Sequence, residues 1–437
     1  MRNLYIALFL QISSLFFSQN YKPIDTMQAA YISSLTGKFE IEKKQTLDNL
    51  ENNKMYSGKE KKILKEIYTD FYDDELRETK KGYFFSLPSF NEYILQIVNE
   101  IANKNPEIDK KGLKLYISRD DIPNAKTSIN GNIFFNFSFL KYIDSEAELA
   151  AILSHEIGHY YLKHSEKAIN DYIKTKFSRE VKEEEIRIRS LEFNKSSAAQ
   201  ELLKKIIYNK NKINREEEIK ADSISLQFMK KTAYGNGALL SLLKKLDNID
   251  KEKDSLTEED FRKNFTIPNY KFNEDWLVLE DVSAYNFKKE HYFKWEVDSL
   301  KTHPSCIERI NLIKDKVEKT SPVFSFNQKY FDEIKLQAEF EEVRSLFFLK
   351  NYGVSLYKSL ILHKKYPKSE FPIKMIASNL EMLKKAKINK NYGKYIVQIN
   401  PFEQSKSLQL FYAFFDNIGN ADLTAFEQYY KAKITNN

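Results

Sequence analysis

Three of the six histidines in this 437-residue chain lie within ten consecutive residues, from His155 to His164. The first five of these residues read His-Glu-Ile-Gly-His. On a helix, positions i and i+4 lie one above the other, so His155 and His159 can bind one metal ion together. Glu156 is adjacent to the first histidine and could deprotonate a water that the metal activates. The pattern therefore predicts the chemistry of a zinc hydrolase.

A catalytic zinc site needs a third protein ligand and an open position. His164 lies nine residues after His155, two to three turns along a continuous helix, which is too far to share the ion. Glu218 is the candidate, because it begins a Glu-x-x-Ala-Asp run on a second predicted helix, 59 residues after His159. Asp222, one turn further on, could accept the ring N–H of a ligand histidine and fix its tautomer.

The helix that carries the two histidines is predicted to begin at Ser145, where Ser145 and Glu148 fit a capping box. Four residues then form one apolar stripe: Leu149, Leu153, Ile157 and Tyr160. At 100° per residue, the histidines lie about 200° around the helix from this stripe. A core histidine would lie on the stripe, so the opposite face indicates a site. Ala221 is small enough to let the second helix approach Gly158.

The elements before this helix combine helical and strand patterns. A helix is predicted from Phe90 to Asn103, a strand from Leu113 to Ile117, and a second strand from Ile129 to Phe137. The segment from Asn130 to Phe135 fits either a strand that pairs with an extended peptide or an ordinary edge strand. Gly and Pro number only 11 and 10, which favours long helices. The predicted fold class is mainly α with a small β-sheet (α+β).

Composition narrows the class of protein. Hydrophobic residues make up 42% and charged residues 30% of the chain, as in globular proteins. The net charge of +7 is spread along helical stretches, so we expect no nucleic-acid partner. Cys306 is the one cysteine, which excludes an internal disulfide and carries no catalytic prediction.

The N-terminus has the order of a secretory signal peptide. Arg2 precedes an apolar run from Leu4 to Phe17, and Ser18 supplies a small residue where cleavage could occur. We therefore predict a signal peptide over residues 1–18 and an exported protein, periplasmic or secreted. An uncleaved membrane anchor is the alternative, and it would keep the chain beside a membrane.

Three regions are expected after the signal peptide: a helical region over 19–89, the zinc-binding domain over 90–320 and a helical region over 321–437. In the last of these, residues 337–351 and 353–365 form a predicted antiparallel helix pair. This pair fits either one degenerate tetratricopeptide-type unit or a generic helical cap. Such a region could bind protein partners.

Four separated motifs resemble one family in its own order. They are Pro123-Asn124-Ala125, the run from Ser145 into the histidine motif, Glu218 to Asp222, and Thr302-His303-Pro304-Ser305 followed by Arg309-Ile310. The chain resembles the HtpX, CAAX-prenyl-endopeptidase and Oma-type group of zinc metallopeptidases, especially its soluble exported branch. The resemblance implies a gluzincin-type domain. It also implies one Zn²⁺ held by His155, His159 and Glu218, with Glu156 as catalytic base.

Two features within this resemblance stay open. The segment from Lys126 to Asn130 replaces a run that is usually more apolar and Gly-rich, which leaves the substrate preference open. His303 has three possible roles: a donor to the developing oxyanion, a latch that occupies the open zinc position, or a structural residue of the turn.

The leading hypothesis is an exported zinc endopeptidase that acts on unfolded or misassembled envelope proteins. The alternative is an exported helical chaperone or scaffold with a vestigial metal site, and zinc hydrolysis of a non-peptide substrate is a further one. The intact ligands and base argue against a vestigial site, and the resemblance argues against a non-peptide substrate.

Overall fold

The computed structural model describes residues 21, 23–25, 28–191, 195–249, 254–279, 305–317, 326–400 and 404–435. The chain divides into two compact units. The first comprises Asp25–Asn248 and His291–Asp332, and the second comprises Met1–Ile24, Ile249–Glu290 and Glu333–Asn437. The described residues are mainly helical with one four-stranded sheet, which confirms the predicted α+β class.

The first unit contains the sheet and the helices that surround it. Its strands are β1 (Phe84–Phe85), β2 (Lys114–Ser118), β3 (Ala125–Thr127) and β4 (Asn132–Asn136). Its helices are α1 (Ala29–Asn52), α2 (Gly58–Lys80), α3 (Pro88–Lys104), α4 (Glu146–Tyr161), α5 (His164–Phe177), α6 (Arg179–Ser190), α7 (Lys195–Lys230), α8 (Gly237–Leu246) and α10 (Cys306–Ile313), with α9 (Glu258–Phe265) in the second unit.

The strand order is β1-β2-β4-β3, with β2 and β4 parallel and the other two pairs antiparallel. The prediction that residues 130–135 form an edge strand is wrong, because β4 pairs with β2 on one side and β3 on the other. The edge is β3, three residues long, where Ala125 lies opposite Phe135 and Thr127 opposite Ile133. Residues before and after β3 bond to β4 through their backbones, since Asn136 N–H donates to Asn124 C=O and Ser128 N–H donates to Asn132 C=O.

Apolar side chains alternate between the two faces of the sheet, as the period of a strand requires. On one face, Phe84 and Phe134 pack with Phe39 of α1 and Leu76 of α2 in one buried cluster. On the other face, the Phe85 ring packs against Phe137, which in turn contacts Phe90 of α3. The sheet is therefore covered on both faces, and α4 contacts it at β3.

Helix α4 begins as predicted but is capped differently. Ser145 Oγ accepts the N–H of Glu148 at 3.2 Å, whereas the Glu148 carboxylate accepts the N–H of Asp144 at 2.6 Å rather than that of Ser145. Glu148 also bonds Lys245 of α8, which ties the start of α4 to a second helix. Almost every residue from Glu146 to Ser154 is buried, so α4 is a central helix rather than an amphipathic one.

Helices α4 and α7 approach closely where the sequence predicted it. A Cβ atom at Gly158 would lie 2.8 Å from Ile224 Cγ2 and 3.2 Å from the carbonyl oxygen of Ala221. Only glycine fits between the helices without displacing them. This approach confirms the prediction for Ala221 and brings residue 218 to the histidines.

The second unit is helical in its described part. Besides α9, it contains α11 (Gln328–Phe348) from Glu333 onward, α12 (Tyr352–Lys365), α13 (Glu370–Ile388), α14 (Lys406–Asn417) and α15 (Asn420–Thr435). Helices α11 and α12 include the predicted pair, and aromatic residues such as Phe265, Phe414 and Phe426 form the centre of a buried cluster. Of the helices in the described ranges, none combines the length and the apolar character needed to cross a membrane. The predicted signal peptide lies outside the described residues.

Candidate metal centre

Three side chains from two helices converge on one point. His155 Nε2 lies 3.1 Å from His159 Nε2, one turn along α4. The two Glu218 oxygens lie 3.4 Å from His155 Nε2 and 3.3 Å from His159 Nε2. All three donor groups lie within 4.8 Å of one another. Two imidazoles and one carboxylate at this spacing can bind one metal ion.

Glu156 lies beside this cluster in the same cleft. It is 8% exposed, and its carboxylate Oε2 accepts a hydrogen bond of 2.9 Å from Thr127 Oγ1 of β3. Burial raises the pKa of Glu156, while the charges of His159 and His155 and the Thr127 bond act to lower it. Glu156 is therefore a buried carboxyl group held next to the predicted metal position.

Asp222 connects His155 to a third helix. Its Oδ1 lies 3.1 Å from His155 Nδ1, and both of its oxygens accept bonds from Arg309 of α10, at 2.7 and 2.6 Å. Arg309 also lies 3.5 Å from Glu218 Oε2. Burial acts to raise the pKa of Asp222, but Arg309 and His155 outweigh it and lower the pKa. The Arg309 guanidinium therefore offsets part of the negative charge of Asp222 and Glu218, the two carboxylates that contact His155.

His155 has an unusual electrostatic environment when no cation is bound. Burial alone would lower its pKa, but Asp222 and Glu218 outweigh it and raise the pKa to about 10. The carboxylates of Glu156, Glu218 and Asp222 and the guanidinium of Arg309 leave two formal negative charges if the histidines are neutral. A divalent cation would neutralise that excess, and two imidazoles with one carboxylate form a donor set that zinc accepts. The residues fit the predicted ion.

His164 lies behind the cluster rather than in it. It is 3% exposed, and its Nδ1 lies 2.9 Å from His159 Nδ1. Burial, followed by the charge of His159, lowers the pKa of His164 to about 3, so its ring is neutral near pH 7. The prediction that His164 does not join the ligands agrees with this position. It contacts a candidate ligand from behind, and it is not a surface residue.

A cleft of about 420 Å³ opens at the cluster. The edge strand β3 and the preceding turn from Pro123 form one part of its lining, and a leucine face of α8 forms another, the leucine wall: Leu239, Leu242, Leu243 and Leu246. The polar floor carries His155, His159 and Glu156. The site therefore combines a metal-binding floor with one apolar wall and one strand edge.

Sequence reasoning brought together His155, Glu156, His159, Glu218 and Asp222, and the structure places all five around one point. Their roles stay predictions. His303 lies outside the described residues. Two contacts were not predicted: Thr127 with Glu156 and Arg309 with Asp222. No sequence signal marks the first, because β3 has only three residues and shows too little alternation. The second has no clear sequence signal either, because α10 also contains the polar residues Glu308 and Asn311.

Two candidate histidine ligands one turn apart, a glutamate from a second helix and a buried glutamate between the histidines define a metallohydrolase-type centre. The profile of Peptidase family M48 matches residues 88–317, which covers every described member of this centre. The chain belongs to peptidase family M48.

One characterised relative is the beta-barrel assembly-enhancing protease of Yersinia pestis, which is 29% identical to this chain over 103 residues. The matched part is 23% of this chain and 20% of that protein. The chain therefore matches about a fifth of the length of this relative.

Proposed function

We propose that this protein is an exported zinc endopeptidase that cleaves unfolded or misassembled proteins of the cell envelope. The convergence of His155, His159 and Glu218 beside a buried Glu156 is the observation that carries this proposal. The N-terminal signal pattern supports export. The relative's name, which refers to β-barrel assembly, supports a task in the envelope.

In the proposed reaction, His155, His159 and Glu218 would hold the ion. Zinc bound there supplies Lewis acidity, which lowers the pKa of water to about 7 and polarises the scissile carbonyl. Glu156 accepts the proton of the attacking water and returns it to the leaving amine. Asp222 keeps the His155 ring in the tautomer that presents Nε2 to the ion.

The edge strand β3 supplies a place for an extended substrate. Since residues 124 and 128 bond to β4, the peptide groups of Ala125 and Thr127 face away from the sheet. A substrate strand could pair with the peptide groups of Ala125 and the N–H of Thr127, whose carbonyl oxygen already accepts a bond from Ser165 Oγ, and pass along the cleft. The leucine wall of α8 would then accept an apolar side chain of the substrate.

Glu156→Gln tests the proposal. The variant keeps the ligands, so we expect unchanged zinc content and a fall in casein cleavage of about 10²-fold or more. Glu216→Gln, an exposed glutamate on α7, is the matched control and should cleave normally. Cleavage by Glu156→Gln at the wild-type rate would contradict the proposal. A zinc-loaded wild type that prevents aggregation without cleaving would favour the chaperone alternative.

His303→Ala separates the roles predicted for His303. A latch predicts higher basal cleavage in the variant, and an oxyanion donor predicts lower cleavage with equal zinc content. An unchanged rate would assign His303 to the turn alone.

A further inference from the structure

We infer that Thr127 is a positioning residue for Glu156, a role that rests on the proposed function. It would fix the carboxylate through one hydroxyl hydrogen bond, so that the edge strand of the substrate cleft sets the orientation of the base. Glu156 receives this bond at Oε2, 2.9 Å from Thr127 Oγ1. Oε1 is left for the water.

The hydroxyl has two acceptors within reach, and both belong to Glu156. Thr127 Oγ1 lies 3.1 Å from the Glu156 carbonyl oxygen as well as 2.9 Å from Oε2. In the part of the chain that the structure describes, no other group donates a hydrogen bond to this carboxylate. When a buried carboxylate has a single hydrogen-bond donor, that donor largely determines the rotamer of the side chain. A hydrogen bond to a charged carboxylate is stronger than one to a neutral carbonyl, so the Thr127 hydroxyl favours Oε2.

Thr127 is itself held in place from the other side. Its carbonyl oxygen accepts a hydrogen bond of 3.2 Å from Ser165 Oγ, at the start of α5. Its neighbours along the chain bond to β4 through Asn124 and Ser128. The threonine is therefore fixed by two elements before it contacts the base, which is the requirement for a group that positions another.

The hydroxyl lies on the short edge strand β3. Thr127 lies in the segment from Lys126 to Asn130, which departs from the more apolar run expected by resemblance. The neighbouring Lys126 points to the opposite face, where its Nζ lies 3.4 Å from Glu75 Oε1. The two polar side chains thus have different partners, and of the two only Thr127 bonds to Glu156.

Thr127→Val removes the hydroxyl and nearly keeps the volume, and Thr127→Ser keeps the hydroxyl. For the zinc-loaded full chain, we expect Thr127→Val to lower kcat about 10- to 100-fold with KM and zinc content near wild type. Thr127→Ser should recover most of kcat. Thr79→Val is the matched control, because the buried Thr79 hydroxyl bonds, among the described residues, only to the Glu75 carbonyl of its own helix. It should leave kcat unchanged.

A second measurement does not depend on activity. In zinc-free protein labelled with ¹³C at the glutamate carboxyls, the resonance missing from Glu156→Gln identifies Glu156. It should shift in Thr127→Val and stay in place in Thr127→Ser. If the Glu156 resonance shifts in Thr127→Val but the wild-type protein never cleaves peptides, the positioning role is retained and the proposed function is rejected.

Three results would overturn the inference: an unmoved Glu156 resonance in Thr127→Val, a kcat within about twofold of wild type, or a serine variant that fails to recover kcat. A loss of zinc from Thr127→Val equal to its loss of kcat would also overturn it, because the effect would then run through the metal.

Discussion

Replacing Asp222 by Asn should weaken zinc binding and destabilise the first unit for two different reasons. Asp222 is 1% exposed and accepts two bonds from Arg309, itself 8% exposed. Breaking a buried ion pair costs about 3–5 kcal/mol. Arg309 keeps a contact of 3.5 Å with Glu218, so we expect the lower end, about 3 kcal/mol.

The effect on zinc has a separate origin. Asp222 Oδ1 lies 3.1 Å from His155 Nδ1, and losing such a partner of a ligand histidine weakens metal binding about 10- to 100-fold. Competition with a chromogenic chelator would measure the zinc affinity. Amide hydrogen exchange in zinc-free protein, followed in peptides from α4 and α7, would measure the local free energy of opening.

A double variant separates the two effects. Asp222→Leu combined with Arg309→Met removes both charges, so the protection of α4 and α7 should return toward that of wild type. Zinc affinity should stay low, because no group then orients His155. If zinc affinity recovers together with protection, the loss in Asp222→Asn was only general destabilisation and the reasoning is refuted. Glu216→Gln should change neither quantity.

Two further predictions concern packing and pH. Gly158→Ala should destabilise the first unit by about 1–2 kcal/mol, because its Cβ would lie 2.8 Å from Ile224 Cγ2. Gly37→Ala should instead stabilise the first unit by up to about 1 kcal/mol, because nothing lies within 4 Å of the new Cβ. If hydrogen exchange shows that both variants change the free energy of opening in the same direction, this prediction is contradicted. Glu75 is buried, and burial raises its pKa to about 7 despite Lys126. The folded state therefore binds this proton more tightly, so stability from Glu75 is present below pH 4.5 and is lost as pH rises through 7. Glu75→Gln should gain up to about 3 kcal/mol over wild type above pH 7 and nothing below pH 4.5, and a difference independent of pH in urea unfolding would exclude the effect.

The candidate ligands could be predicted from sequence because each depends on local periodicity. His155 and His159 share a helix face by their spacing alone, and Glu218 with Asp222 does so on α7. Gly158 and Ala221 predicted the close approach because small residues leave room that a backbone can fill. The choice of Glu218 needed more than helix geometry, because it depended on the position of Glu218 after the His-Glu-x-x-His motif and on the family resemblance.

The remaining contacts depend on how separate elements pack. Thr127 and Glu156 are 29 residues apart, and Arg309 and Asp222 are 87 apart. Helix and strand periodicity relates only residues within one element, so it cannot predict contacts between residues so far apart. The strand order was also beyond the sequence, since β3 has only three residues and shows too little alternation to be recognised. The sequence pattern therefore predicts residues 130–135 at the edge of the sheet, whereas the edge strand is β3.

The route of the chain between α4 and α7 has a consequence for variation in this protein. The chain leaves the cluster after His159, passes through α5 and α6, and returns at Glu218 on a helix of 36 residues. The contact of Gly158 with Ala221 and Ile224 sets the distance between the helices, so the length of this excursion does not. Doubling a flexible loop costs only about 0.6 kcal/mol in closure entropy. Relatives could therefore lengthen, shorten or rebuild the part of this excursion beyond Ser165 without changing the distance between α4 and α7.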